Sequence, residues 1–296
     1  MELRGVYVPL ITPFAEGSLD FGAAELKALE ALAHSVLDEG AAGLVALGTT
    51  AEVATLDQSE RAAVVELVSR VCRERGATFV VGAGTADTRA SARALAGLTG
   101  ADAALVTVPS FSRPGERGVV AHFDQLAAAS AVPLIVYNIP YRTGQTIGAG
   151  ALRELAALPG VIGVKHAVGG VDQATVDLLG DTPEGFAVLA GDDPFFPALL
   201  ALGAPGGILA AAHLATGRFV ELTEAWAAGD VARARALGHR LSAFAAAAFA
   251  EPNPTVVKGL LHAQGRLPSA AVRLPLLPAG RASVAHALER LDALDA

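Results

Sequence analysis

Lys165 is one of three lysines in 296 residues, and it sits in the apolar run Val161-Ile162-Gly163-Val164-Lys165-His166-Ala167. A lysine near the end of a β-branched run places its ammonium where charge is costly, and an amine there tends to lose its proton. A neutral buried amine is the nucleophile that forms a Schiff base with a carbonyl compound. A strand-end lysine that snorkels to water, or pairs with a carboxylate, explains the same residue equally well. Other side chains complete a possible chemistry. Tyr137 offers a hydroxyl to shuttle protons while a carbinolamine loses water. Thr49 and Thr50 offer hydroxyls and backbone N–H groups suited to the carboxylate of an α-keto acid. Arg142 is a forked donor for a second carboxylate. Each has a plainer reading: a core aromatic for Tyr137, a helix-capping turn for the threonines, a surface ion pair for Arg142.

Such residues need a frame that brings them together. Short apolar runs recur at Gly5–Ile11, Gly43–Leu47, Phe79–Ala83, Ala103–Val108, Leu134–Asn138, Val161–Lys165, Ala187–Ala190 and Gly207–Ala211. The segments between and after them read as helices: Ala23–Asp38, Gln58–Glu74, Thr88–Thr99, Glu116–Ala129, Ala149–Ala157, Val171–Leu179, Phe195–Leu202 and Arg218–Ala228. Continuous rather than alternating hydrophobicity marks strands covered on both faces. Eight strand-helix units are the count of a (β/α)8 TIM barrel, whose chemistry collects where strands end. Thr49-Thr50, Tyr137-Arg142, Lys165 and Asp192-Asp193 follow the second, fifth, sixth and seventh runs, so a shared mouth outweighs four separate plain readings. A doubly wound sheet has only Gly82-Ala83-Gly84-Thr85-Ala86-Asp87 in its favour, which lacks the third glycine of a dinucleotide fingerprint. After Ala228 only helical patterns remain, at Asp230–Ala250, Pro254–Gln264 and Arg281–Leu294. The expected division is a catalytic barrel over 1–228 and a helical appendage over 229–296.

Composition narrows the partners. With 52% hydrophobic and 18% charged residues the chain can bury a large core. A net charge of -8 without a dense basic cluster argues against nucleic acid. The single cysteine, Cys72, permits no intramolecular disulfide and reads as a small buried hydrophobe. The apolar stretch from Gly5 to Phe14 is short, holds two prolines and follows an acidic residue, unlike an export signal. The run Ala201–Ala215 is broken by Gly203, Pro205, Gly206 and Gly207, short of the roughly 20 apolar residues of a membrane span. A cytoplasmic location and no membrane partner are expected. No spacing of His, Asp or Glu suggests a metal, and Schiff-base chemistry needs no cofactor. Asp192-Asp193 resembles a metal or acid pair, but it precedes Pro194 and an apolar helix, so N-capping is expected of it rather than catalysis. His166, next to an inward-facing lysine, should point to the opposite face of its strand and pack against a helix.

The motifs together resemble the dihydrodipicolinate synthase / N-acetylneuraminate lyase family of pyruvate-dependent class I aldolases. The resemblance rests on Gly48-Thr49-Thr50-Ala51-Glu52, Tyr137-Asn138-Ile139-Pro140-Tyr141-Arg142-Thr143-Gly144, Gly163-Val164-Lys165 and Gly191-Asp192-Asp193. It extends from Pro9-Leu10-Ile11-Thr12-Pro13-Phe14 to Glu251-Pro252-Asn253-Pro254 and Arg273-Leu274-Pro275, nearly the whole chain. It implies that Lys165 binds pyruvate as a Schiff base and that Tyr137 shuttles protons. Thr49 would join a hydroxyl relay, Thr50 would hold the pyruvate carboxylate, and Gly207 and the backbone near Ile208 would line the pocket. Arg142 matches the arginine that meets the carboxylate of aspartate semialdehyde in the synthase branch. A homotetramer built from two tight dimers is implied as well.

The chain also departs from that pattern. The synthase relay includes a second tyrosine, contributed across a subunit interface from the loop after the fourth strand. Here the loop reads Pro109-Ser110-Phe111-Ser112-Arg113-Pro114, and Phe111 cannot pass a proton. A positioned acid or base contributes about 10²–10⁴-fold. Tyr141, Ser110, Ser112 or a water would have to replace it, or the reaction differs. Residues matching the lysine-inhibition cleft of bacterial synthases are Val53, Gln58, Arg61, Ala86, Ala90 and Ser110, few of which suit a diamino acid, so insensitivity to L-lysine is expected. The leading expectation is condensation of pyruvate with L-aspartate semialdehyde. A sister aldolase or dehydratase acting on a 2-keto-3-deoxy sugar acid or another hydroxy-keto acid is the alternative that Phe111 favours. A non-catalytic keto-acid-binding paralogue is a third, which the retained lysine, tyrosine, threonines and arginine oppose.

Overall fold

The computed structural model describes residues 1–294; the last two residues of the expected appendage lie outside that range. Eight strands alternate with helices: β1 Gly5–Pro9, α1 Ala23–Asp38, β2 Gly43–Ala46, α2 Gln58–Arg75, β3 Thr78–Ala83, α3 Thr88–Ala96, β4 Ala103–Thr107, α4 Gly115–Ala129 and β5 Leu134–Asn138. There follow α5 Pro140–Thr143, α6 Ala149–Ala156, β6 Val161–His166, α7 Gln173–Gly180, β7 Ala187–Ala190, α8 Phe196–Ala201, β8 Gly206–Ile208 and α9 Ala212–Ala227. Three further helices are α10 Val231–Ala248, α11 Thr255–Ala263 and α12 Arg281–Asp292. The strands hydrogen-bond in chain order and the sheet closes, which makes it the expected (β/α)8 barrel.

Helix limits follow local chemistry. Asp57 and Glu60 cap α2 reciprocally, each carboxylate accepting the other's backbone N–H at 2.9 Å, and Gly76 ends the helix at φ 63°. Asp172 accepts the Thr175 N–H at the start of α7, which therefore begins after Val171. The first and last strands are shorter than the sequence expectation. β1 stops at Pro9, although Leu10 and Ile11 stay buried, and β8 is only three residues long because α9 starts at Ala212 with a non-helical Ala215 inside it. An uninterrupted apolar run fits strand and buried helix alike, so its period could not place that boundary. No helix among the described residues is long and apolar enough to cross a membrane.

The chain forms two compact units. One comprises Met1–Gly5 and Val80–Ile208. In it one face of β4–β7, with Val106, Leu134, Val136, Val164 and Val188, packs on Phe123 and Leu126 of α4 and on Leu152 and Leu155 of α6. The other unit comprises Val6–Phe79 and the described residues from Leu209 on. There α9 packs on α1, α10 and α11, and α12 on α10 and α11. Cys72 is buried in α2, as a small hydrophobe would be.

Candidate active site

Side-chain alternation along β5 and β6 sorts residues by face. Leu134, Val136 and Val164 belong to the core under the helices. Tyr137 and Lys165, one position further on, are register partners on adjacent strands and face the other way. Lys165 is 5% exposed, so it does not snorkel. Its Nζ lies 4.4 Å from the Tyr137 ring centroid, over a face that attracts a cation. Among the described residues Nζ has no ion-pair partner, which leaves it open to react. Gly191 provides the space: a Cβ there would come within 2.9 Å of Lys165 Cγ and 2.8 Å of Ala167 Cβ.

The neighbouring residues divide between support and chemistry. His166 faces the helices, as expected, with Nε2 2.9 Å from the Thr175 hydroxyl of α7 and Nδ1 3.4 Å from Asn138 Nδ2. Burial pushes its imidazole down to about 4, so it is a neutral packing group near pH 7. Asp192 corrects the capping expectation. It stands at the N-cap position of a 3-10 turn, yet its side chain makes no capping bond there and instead accepts the Gly169 N–H at 2.6 Å. Burial raises its pKa, against the Gly169 hydrogen bond and the charge of Lys165. The Asp192 carboxyl lies near enough to Lys165 to feel the charge of its amine, and its position after β7 had marked it in the sequence.

The loops after β4 and β5 carry the exposed members. The Tyr137–Gly144 motif is the end of β5 followed by one helical turn, with Pro140 at its first position and Gly144 ending it at φ 68°. That turn carries Arg142 and Tyr141 outward; Tyr141 is 90% exposed, and neither side chain has a polar partner among the described residues. Phe111 is 100% exposed and holds a left-handed backbone at φ 70°. The phenyl ring fills no volume within its own chain. On β8, Gly207 is the register partner of Ala190, and Ile208 is buried.

In the other unit Thr49 and Thr50 belong to a single 3-10 turn, Thr49–Ala51, with Gly48 at its N-cap position. Thr50 is buried and accepts a hydrogen bond from Asn253 Nδ2 at 2.9 Å. Thr12 donates to the Ala51 carbonyl at 2.8 Å. Glu52, at φ 53°, accepts from Lys258 Nζ at 2.7 Å and from the Arg273 N–H at 2.9 Å. Lys258 and Arg273 each lie 4.2 Å from the ring centroid of Phe14. Burial pushes the Lys258 ammonium down to about 8, against Glu52, which favours the charged form. Lys258 was not singled out from sequence, and Glu52 and Asn253 entered only as members of family motifs, with no role given to them. The clue for Lys258 was the one that marked Lys165: a rare lysine inside an apolar segment.

Residues 2–291 match the model of the dihydrodipicolinate synthetase family. The 4-hydroxy-tetrahydrodipicolinate synthase of Moorella thermoacetica is 38% identical over 95% of this chain and 94% of its own. The 4-hydroxy-tetrahydrodipicolinate synthase 2 of Clostridium acetobutylicum is 35% identical over 94% of this chain and 96% of its own. The crystal structure of dihydrodipicolinate synthase from Thermotoga maritima superposes with a TM-score of 0.90 at 30% identity, covering 100% of this chain and 99% of that one.

Proposed function

Because the chain belongs to the dihydrodipicolinate synthetase family, we propose that it is a class I lyase that condenses pyruvate with L-aspartate semialdehyde to give 4-hydroxy-tetrahydrodipicolinate. The observation that carries the reading is Lys165: buried, unpaired and set against Tyr137. Its amine adds to the keto carbon of pyruvate, and the carbinolamine loses water to leave an imine. Loss of a methyl proton gives the enamine, whose carbon adds to the aldehyde. Tyr137 relays the protons of these steps, with Thr49 in the relay and Thr50 on the pyruvate carboxylate, roles supported by the family motif. Arg142 holds the carboxylate of the aldehyde substrate; a forked guanidinium without a competing carboxylate suits that task. Gly207 and Ile208 line the pocket. No cofactor enters these steps.

The protein acts in the cytoplasm as a homotetramer, with the barrel over 1–228 as its catalytic domain. A fully exposed phenyl ring held at positive φ supports the oligomer, since strained backbone with an apolar tip suits an interface better than open water. A second reading, a sister aldolase or dehydratase acting on a 2-keto-3-deoxy sugar acid, is favoured by one observation: Phe111 has no hydroxyl. A coupled assay with pyruvate and aspartate semialdehyde, run beside a panel of aldehydes and sugar acids, tests the two. Turnover with aspartate semialdehyde that rises in Phe111→Tyr supports a synthase working with a weakened relay. No turnover in either form, with turnover of a sugar acid, selects the second reading.

A further inference from the structure

We propose that Asn253 is a positioning residue for keto-acid binding: its amide fixes the direction of the Thr50 hydroxyl so that Thr50 donates to the substrate carboxylate. The inference rests on the reading of Thr50 as the residue that holds that carboxylate. A hydroxyl has one proton and two acceptor sites, and a carboxylate only accepts. A threonine serves a carboxylate only when its proton points that way. Asn253 Nδ2 donates to Thr50 Oγ1 at 2.9 Å and occupies one acceptor site, so the Thr50 proton must point elsewhere. The Asn253 Oδ1 atom is buried and takes no donor from the described residues. The amide is held by its NH2 end.

The surrounding turn is fixed on both sides, which gives that direction meaning. Thr12 holds the Ala51 carbonyl, and both oxygens of Glu52 are engaged, by Lys258 and by the Arg273 backbone. Asn253 and Lys258 are five residues apart in sequence, and the Lys258 N–H bonds the Pro254 carbonyl at 2.9 Å. One short segment therefore reaches both Thr50 and Glu52. A donor chain from amide to hydroxyl to carboxylate is polarised in one direction, and each bond strengthens the next.

Asn253→Asp, Asn253→Ala, Thr50→Val and the two double variants test this. For each, the pyruvate concentration that half-saturates borohydride trapping at Lys165 is measured, together with kcat at saturating pyruvate and the melting temperature. Asn253→Asp replaces the donor with an acceptor and should raise half-saturating pyruvate roughly a hundredfold; Asn253→Ala should raise it about tenfold, the scale of one hydrogen bond to a charged group. Both should keep a near-wild-type melting temperature and kcat. In the Thr50→Val background neither substitution should add to the effect, as for residues acting through one another. Wild-type pyruvate affinity in Asn253→Asp, or effects of Asn253 and Thr50 that multiply, would overturn the proposal alone. Thr50→Val with unchanged pyruvate affinity would overturn the reading of Thr50 and this proposal with it.

Discussion

Lys258 and Lys165 are both buried in apolar elements, one in α11 and the other in β6, yet only Lys258 is joined to a carboxylate in an ion pair. Lys258 meets Glu52 at 2.7 Å with both side chains out of water, and Phe14 covers the ammonium. Lys165 meets an aromatic ring, and its methylene stem lies where a side chain at position 191 would stand, room that Gly191 leaves. A paired ammonium is tied up in a hydrogen bond and serves as a fastener. Lys165 forms no ion pair within the described residues and has only the nearby charge of Asp192, so its amine is not tied up in the same way. Burial alone therefore does not mark a reactive lysine; the absence of an ion pair is what separates Lys165 from Lys258.

Four substitutions or ligands would sharpen or break this contrast. Tyr137→Phe keeps the ring near Lys165 and removes its proton carrier, so pyruvate imine formation should slow by about 10²–10⁴-fold. An unchanged rate in stopped-flow measurement would make the tyrosine a mere packing residue. Lys258→Met should cost about 3–5 kcal/mol, because it leaves the buried Glu52 carboxylate without its counter-charge, held only by the Arg273 N–H. Urea denaturation reads that loss, and Glu52→Gln added to Lys258→Met should recover part of it. Arg142→Leu should lower kcat/KM for aspartate semialdehyde about 10- to 100-fold, the scale of charge-assisted hydrogen bonds. Pyruvate trapping should be unaffected, and a matching loss there would place Arg142 on the wrong substrate. Millimolar L-lysine should leave activity unchanged; Arg61, at one matching position, already donates to the Val53 carbonyl at 2.9 Å. A dose-dependent loss would contradict that expectation.

The strand count is legible in the sequence because strands covered on both faces are continuous apolar runs. Tyr137 and Lys165 are legible for the same reason, being polar residues at the ends of such runs. The α5 turn was not anticipated, although Pro140 and Gly144 are the usual signals of a helix start and stop. Four residues are too few to show a period. Asp192 was read as a cap because the Asp192-Asp193 pair before Pro194 has that meaning locally, and its contact with Gly169 is 23 positions away. Asn253 and the Glu52–Lys258 pair are more remote still, joined across 203 and 206 positions. Side-chain pairings at such separation leave no periodic trace.

The central claim is that Lys165 bonds covalently to a keto acid. Incubation with pyruvate and borohydride, followed by digestion and mass spectrometry, tests it most directly. The account predicts one reduced pyruvyl adduct, mapped to the peptide containing Lys165 and absent from Lys165→Ala. No adduct, or one on Lys258 or Lys27, would contradict it.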